Sequence, residues 1–235
     1  MSATRTKRSA GSNGAPADGT TARQRVREEV RRLILAGELR PGERLTQQHL
    51  AKRFGVAQSV VRESLLELQF TGLVQMIDNL GIFVGRLNTA SLIQAYEVRE
   101  MLEGLAARDC CDRAGRADLR ELTEMAAEIH KLGVAGKDDQ RGKLDRRFHL
   151  RIIEISRNEV LVRLIEACHA LGMTVQASRP HAVIRREHLG IVAAIDAGNA
   201  ADAERLAREH VAGARGALQK QISQDNFTPH WVVED

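Results

Sequence analysis

Four polar residues in the second half of the chain have the types and spacing of a metal site. Asp145 and His149 lie four positions apart, so their side chains share one face of a predicted helix. His188 and His210 each fall within a stripe of apolar residues on later helices, which directs both rings toward the core. Because buried polar groups need partners, one divalent cation would satisfy the carboxylate and the three imidazoles together. The pattern therefore predicts a metal centre at Asp145, His149, His188 and His210.

The donor types narrow the choice of metal. Three nitrogen donors and one oxygen donor suit zinc, nickel, manganese or iron, and we take zinc as the first choice among them. Four protein ligands could close a tetrahedral structural site, whereas octahedral geometry would leave positions open for water or an organic anion. Taken singly, each histidine could instead be a core residue bonded to a backbone carbonyl, so the prediction depends on the four residues together.

Arg99 is a further polar residue on an apolar helix face. It shares a helical stripe with Leu92, Ala95 and Leu102, and an inward guanidinium is costly unless it meets an anion. Two interpretations stay open at this point. Glu103, one turn further along, could be the partner of Arg99, or Arg99 could bind the carboxylate of a small ligand beside the metal.

Helical periodicity accounts for how these side chains are positioned. After Arg86 the apolar residues recur at three- and four-residue steps, and no strand pattern is evident. The breaks between periodic segments predict six helices, at about residues 89–113, 117–133, 138–156, 159–177, 182–197 and 200–222. The metal candidates then lie on the third, fifth and sixth helices of an all-α antiparallel bundle, which we place at residues 90–222.

Residues 22–86 have a different layout. Three helical patterns, which begin at Ala22 and near Thr46 and Gln58, each end close to a glycine. Two short apolar runs, 73–77 and 82–84, follow and are separated by a turn at 78–81, as in a β-hairpin. Three helices and a hairpin are typical of a winged helix-turn-helix, whose third helix enters a DNA major groove. The predicted fold class is mostly α, a winged helix followed by the helical bundle.

Charge and composition agree with a DNA-binding role for residues 22–86, which we call the head. Residues 1–86 hold 14 Lys and Arg against 8 Asp and Glu, whereas the rest of the 235 residues carries a small acidic excess. A basic first third indicates a polyanionic partner. There is no apolar run of membrane-spanning length, no secretory signal and no disulfide-framework spacing among the three cysteines. We therefore expect a cytoplasmic protein without membrane contact, with a disordered tail at 1–21 and a C-terminal tail at 223–235.

Motifs across residues 22–86 resemble the DNA-binding domain of the GntR family. The matching runs are Ala36–Leu45, Leu50–Val56, Val61–Leu65, Gly72–Val74 and Gly81–Val84. This sequence departs from the family pattern at Gln48 and Gln58, where relatives often carry arginines, and at Ala57, where a serine N-cap is usual.

The winged-helix layout assigns roles in DNA contact. Residues near the start of the third helix would face base edges, where Arg62 suits guanine and Gln58 suits adenine. Residues before and on the second helix would lie near phosphates, and a glycine in the hairpin would let the wing approach the DNA. The predicted DNA-contacting set is Arg44, Gln48, Lys52, Arg53, Gln58, Ser59, Arg62 and Gly81.

Residues 90–222 resemble the FCD effector domain of the FadR-like branch of the GntR family. The matching runs are Glu97–Glu103, Asp145–His149, Ser156–Asn158, Glu187–His188 and Glu209–His210. The count of six helices resembles the shorter, VanR-like variant. The resemblance implies a metal-containing bundle in which an anionic metabolite coordinates the metal and contacts Arg99, and we assign Asn158 to the same effector site.

Together these patterns favour a ligand-responsive transcription regulator over two alternatives. The leading hypothesis is a homodimeric repressor that binds a pseudo-palindromic double-stranded operator and responds to a small organic anion, with a carboxylate as the expected effector. A regulator that senses the metal itself is the second hypothesis. A metal-dependent enzyme ranks third, because no separate general base is evident and an attached DNA-binding domain would be unexplained.

Overall fold

The computed structural model describes residues 21–86, 88–172 and 178–224. The predicted tail at 1–21 lies outside these ranges except for Thr21, and the tail at 223–235 lies outside them except for Ser223 and Gln224. The last five positions of the predicted helix at 159–177 are also outside the described residues. Within the described ranges the fold is mostly α, with nine helices and one small sheet, which confirms the predicted fold class.

The first three helices form the helix-turn-helix unit. They are α1 (Ala22–Leu35), α2 (Gln47–Phe54) and α3 (Gln58–Gln69). Thr21 caps α1 through a capping box with Gln24, which satisfies backbone donors at the helix start. Gly55 ends α2 in the left-handed conformation, with φ of +65°, and so permits the tight turn into α3.

The wing is a three-stranded antiparallel sheet rather than a bare hairpin. Its strands are β1 (Arg44–Leu45), β2 (Val74–Ile77) and β3 (Gly81–Val84), in the order β1-β3-β2. The predicted hairpin is confirmed, but β1 was not predicted. This strand has only two residues, too few for an alternating pattern, and it is defined by its pairing with Phe83 and Ile82 of β3.

Gly85 closes the hairpin against the turn that follows α3. Its amide donates to the carbonyl of Leu73, and a Cβ at this position would overlap the backbone oxygen of Gly72. We expect Gly85→Ala to destabilise the protein by about 1–3 kcal/mol, because the clash is with backbone that cannot rotate away. Urea unfolding monitored by circular dichroism measures this, with Gly216→Ala as the control, since a Cβ there meets nothing within 4 Å. Equal unfolding midpoints for the two variants would contradict the prediction.

Six helices form the C-terminal bundle. They are α4 (Thr89–Cys110), α5 (Arg116–Val134), α6 (Asp138–Ile155), α7 (Glu159–Gly172), α8 (His181–Asp196) and α9 (Ala200–Ser223). α4 packs against α9, α7 and α6, while α5 packs against α6 and α8. α8 in turn packs against α9, so the three helices that carry the metal candidates, α6, α8 and α9, are linked through α4, α5 and α8. Among the described residues no helix is both long and apolar enough to cross a bilayer.

The core of the winged helix continues into the bundle. Leu92 and Tyr96 of α4 and Val211 and Leu218 of α9 belong to the same buried cluster as the apolar residues of α1 to α3. A second cluster fills the bundle and includes Phe148, which is fully buried. Since α4 and α9 contribute to both clusters, they connect the head mechanically to the bundle.

Candidate metal centre and DNA-reading surface

Three histidines meet in the bundle interior. His149 lies on α6, His188 on α8 and His210 on α9, and all three side chains are buried. Each offers a ring nitrogen, and these three atoms lie within 4.8 Å of one another. The ring centroids are 4.6–5.4 Å apart. This spacing suits three imidazoles that converge on one small ion.

Asp145 lies beside the histidines, as its spacing from His149 predicts. One of its carboxylate oxygens is 3.9 Å from Nε2 of His149, and the other is 3.5 Å from Nε2 of His188. Its side chain is partly exposed, whereas the histidines are not. The structure therefore brings together all four residues that the sequence predicts as metal ligands.

His188 provides the test of whether a metal fits here. Both of its ring nitrogens are buried, and neither has a hydrogen-bond partner among the described residues. Phe148 stacks on the ring with centroids 4.3 Å apart. Burial, together with neighbouring His210 and His149, holds the pKa of His188 well below its usual value. A neutral imidazole whose buried nitrogens lack hydrogen bonds is costly by itself, and the neutral form is the one that binds a transition metal, so the donor set fits.

A buried glutamate orients His149. Glu103 of α4 accepts at 2.7 Å from Nδ1 of His149, which leaves Nε2 directed toward the other ligands. Burial lowers the pKa of His149, but the charge and hydrogen bond of Glu103 raise it more, so the net shift is upward. Glu103 is thus a positioning residue for the cluster.

A second glutamate orients His210 in the same way. Glu187 of α8 lies 2.8 Å from Nδ1 of His210, and Arg179 donates to both oxygens of Glu187 at 2.6 and 2.8 Å. Burial raises the pKa of Glu187, but the hydrogen bonds from His210 and Arg179 hold it below its usual value. Neither Glu187 nor Arg179 is predicted as a site residue from the sequence. Glu187 precedes His188 directly, and neighbouring helix positions normally face different ways, so spacing gave no signal for this role.

Arg99 contacts Glu103, the partner of His149, as Arg179 contacts Glu187, the partner of His210. Its Nε and Nη2 both lie 2.9 Å from Oε1 of Glu103, and its guanidinium lies 4.8 Å from the ring centre of Tyr96. Of the two interpretations left open for Arg99, the structure shows the ion pair with Glu103. Arg99–Glu103–His149 and Arg179–Glu187–His210 are therefore two equivalent chains, which we call the arginine–glutamate–histidine relays.

Asn158, the other predicted effector residue, lies at the start of α7. Its side-chain oxygen accepts from the backbone amide of Leu161 at 3.2 Å, as a helix-capping residue does. A small cavity of about 10 Å³, lined by residues that include Glu103, His149 and Ile191, lies next to the histidines. This is the space of roughly one water molecule or ion.

The predicted DNA-reading residues lie on the head. Gln58, Ser59 and Arg62 are all exposed on the first two turns of α3, and Ala57 caps the helix without a side-chain hydrogen bond. Arg62 makes no ion pair or hydrogen bond with any residue that the structure describes. An exposed arginine without such a partner is available for bases or phosphates.

The remaining DNA candidates flank α3. Gln48 and Lys52 are exposed on α2, while Arg53 forms an ion pair with Glu38 at 3.3 Å. Arg44 lies on β1 of the wing, and a Cβ on Gly81 of β3 would lie 3.3 Å from its guanidinium. Gly81 has φ of +116°, a conformation that side chains rarely adopt. The structure therefore places the DNA candidates on α2, the first turns of α3 and the wing.

Known protein families match both the winged helix and the helical bundle. The family described as "Bacterial regulatory proteins, gntR family" matches residues 22–84, and the FCD domain matches residues 94–213. The chain belongs to the GntR family. It carries the FCD domain of the FadR-like branch, and it is a DNA-binding transcription regulator of the GntR/FCD type.

Individual relatives of this GntR-family chain are also regulators by name. The HTH-type transcriptional regulator LutR of Bacillus subtilis (strain 168) is 30% identical over 219 residues, covering 82% of this chain and 99% of LutR. The HTH-type regulator YdhC of the same organism is 29% identical over 191 residues, covering 78% and 83%. Among solved structures, E. coli McbR/YncC shares the fold with a TM-score of 0.69 at 22% identity, covering 86% of this chain and 99% of that one.

Proposed function

We propose that this regulator is a sequence-specific repressor whose operator affinity is controlled by a small anionic metabolite bound at a metal in the FCD bundle. The observation that carries the proposal is the buried His188, whose ring nitrogens have no hydrogen-bond partner among the described residues, beside two histidines that are each oriented by a glutamate. No apolar core needs this arrangement, because three adjacent imidazoles are costly to bury without a shared partner. A protein that acts on an operator in this way works in the cytoplasm.

The chain's own residues define how a metal would be held. Asp145, His149, His188 and His210 are the ligands that we propose, with zinc as the first choice and nickel, manganese or iron as alternatives. A bound ion supplies a Lewis acid that can accept a carboxylate oxygen from the effector. Glu103 and Glu187 fix the rings of His149 and His210, so that the ligand atoms are held ready before the ion arrives.

Arg99 and Asn158 are the residues that we propose for effector contact. Nε and Nη2 of Arg99 bond Glu103, and we therefore assign Nη1 to the carboxylate of the effector. Asn158 would offer the amide group of its capping side chain from the start of α7. Both assignments rest on the FCD resemblance together with these positions.

In this proposal residues 22–86, the head, bind DNA, and residues 90–222, the bundle, bind the metal and the effector. Arg62, Gln58 and Ser59 read bases, and Arg44, Gln48, Lys52, Arg53 and Gly81 contact the DNA backbone or the minor groove. A homodimer would place two heads on a pseudo-palindromic operator, since two-fold symmetry demands matching half-sites. The exposed apolar residues Val98 and Met101, three apart on α4, are the surface that we propose for dimer contact.

Communication between the two halves would use α4 and α9. α4 carries Arg99 at the effector site and Tyr96 in the core of the head, while α9 carries His210 and Val211 in the same way. An effector can change operator affinity only by binding one arrangement of these helices more tightly than another. Typical couplings of this kind are about 1–3 kcal/mol, or roughly 5–150-fold in affinity.

The experiment that tests this function starts from a random duplex library. Sites selected by the purified protein are used in fluorescence anisotropy at fixed salt, with metal-loaded and metal-stripped protein and a panel of small carboxylates. We expect one class of carboxylate to weaken operator binding only when metal is present. A response to metal alone would instead favour direct metal sensing. Turnover of a carboxylate that is lost in His149→Ala would favour an enzyme.

Glu187 offers a sharper test of the proposed metal centre. We expect Glu187→Gln to weaken metal binding by about ten-fold, since changes to the partner of a ligand histidine typically cost 10–100-fold. Competition with a chromophoric chelator measures the affinity. Glu209→Gln is the matched control, because Glu209 is next to His210 in sequence but exposed and paired with Arg205 at 3.0 Å. Equal affinities for the two variants would contradict a positioning role for Glu187.

A further inference from the structure

A groove of about 580 Å³ separates the head from the bundle on one side of the molecule. The volume falls within the range of small-molecule sites. α1, α3 and the turn after α3 form one wall, and α6 and α7 form the other. The lining residues that matter here are Arg27, Glu67, Phe70, Arg146, Arg163 and Leu164.

The groove carries an excess of positive charge. Four arginines line it against two glutamates, and each glutamate is already paired on the head side: Glu67 with Arg27 at 3.3 Å and Glu28 with Arg31 at 2.6 Å. Arg163 on the opposite wall makes no ion pair or hydrogen bond with any described residue. Its charge is therefore available to an anion that enters the groove.

The same groove exposes large apolar side chains. Phe70 is 86% exposed, the most of any large apolar residue in the described part of the chain, and Leu164 across from it is 52% exposed. An aromatic ring that lines a concave surface beside arginines can pack against a flat apolar body, while the guanidinium groups stack on it or bind its charge. Single exposed apolar residues are common, but apolar residues grouped in a groove indicate a binding surface.

We propose that this groove binds a small aromatic carboxylate, at a site separate from the histidine cluster. The carboxylate pairs with Arg163, and the aromatic body packs between Phe70 and Leu164. The site is also remote from the DNA-reading turns, because Phe70 follows the C-terminal end of the 12-residue α3, about 18 Å from its first turn. A ligand that touches both walls would fix the angle between head and bundle.

The test uses isothermal titration calorimetry of the full-length protein with 1-naphthoate, 1-naphthol and inorganic phosphate. We expect 1-naphthoate to bind at one site per chain and to bind at least about ten-fold more tightly than the neutral naphthol or the small phosphate. Arg163→Gln and Phe70→Ser should each weaken naphthoate binding by about ten-fold, the change expected for one charge-assisted hydrogen bond or one stacked ring. Arg120→Gln, which removes an exposed arginine outside the groove, should leave binding unchanged.

Other outcomes overturn the proposal. Absence of naphthoate binding to the wild type, or binding that survives both groove variants, would do so. Loss of binding in His149→Ala with retention in Arg163→Gln would place the ligand at the histidine cluster instead. If Phe70→Ser changes the sedimentation coefficient from that of a dimer to that of a monomer, the groove is an interface between two copies of the chain and not a ligand site.

Discussion

We expect the wild-type protein to purify with about one metal ion per chain at the proposed centre, and His188→Ala to purify without it. His188 is fully buried beside His149 and His210, and neither of its ring nitrogens has a hydrogen-bond partner among the described residues. Loss of a ligand should lower affinity by more than the ~10–100-fold that changes to a ligand's partner cost. Elemental mass spectrometry on protein prepared without chelator or affinity tag measures the content.

Two further variants keep this result interpretable. Asp145→Asn removes the charge of a partly exposed side chain and should also lower metal content, with less risk to folding than a change at the fully buried His188. His49→Ala replaces an exposed histidine on α2 and should leave the content unchanged. If the wild type holds no metal after reconstitution, or if His188→Ala retains it, the four proposed ligands are polar groups of the core and not a metal site.

Arg62→Ala is expected to lose specific operator binding while it keeps its helical content. Arg62 is exposed on α3 and makes no ion pair with the described residues, so its removal should leave the head folded. A bidentate arginine contact with a guanine discriminates by about 1–3 kcal/mol, which corresponds to roughly 5–150-fold in affinity. Anisotropy on the selected duplex and on a scrambled duplex at the same salt separates the loss of specificity from a general loss.

Lys52→Ala provides the contrast. If Lys52 contacts a phosphate, its loss should weaken binding to both duplexes alike and lower the slope of log affinity against log salt by about one. Arg116→Ala, at an exposed arginine of α5, should change neither quantity. Wild-type affinity of Arg62→Ala for the selected duplex would contradict the assignment of α3 as the recognition helix.

Local sequence signals were sufficient to predict most of the fold. The turns at Gly55 and Gly72 and the apolar periodicity of α4 to α9 are properties of short segments, so each can be read directly. Strand β1 could not be predicted in this way, because Arg44 and Leu45 form a strand only through pairing with β3. Its existence depends on a partner about 40 residues away in sequence.

In the candidate site, too, local spacing was predictable and contacts between distant segments were not. The spacing of Asp145 and His149 and the apolar stripes around His188 and His210 were enough to predict that these residues meet. The partners that orient the rings could not be predicted, because Glu103 reaches His149 across helices and Arg179 reaches Glu187 from the segment before α8. For Arg99, spacing allowed both a structural and a ligand-binding interpretation, and the structure shows the ion pair with Glu103.

The two arginine–glutamate–histidine relays would set the charge balance of the proposed metal centre. Glu103 is already neutralised by Arg99, and Glu187 by Arg179. Asp145 is then the acidic ligand whose charge is left to offset a divalent cation, together with three imidazoles that are neutral when they bind metal. With a divalent ion in the proposed site, one positive charge would stay uncompensated in a largely buried interior, where it is costly. A singly charged anion would restore neutrality, so we expect the proposed metal centre to favour a monoanionic ligand over a neutral or doubly charged one.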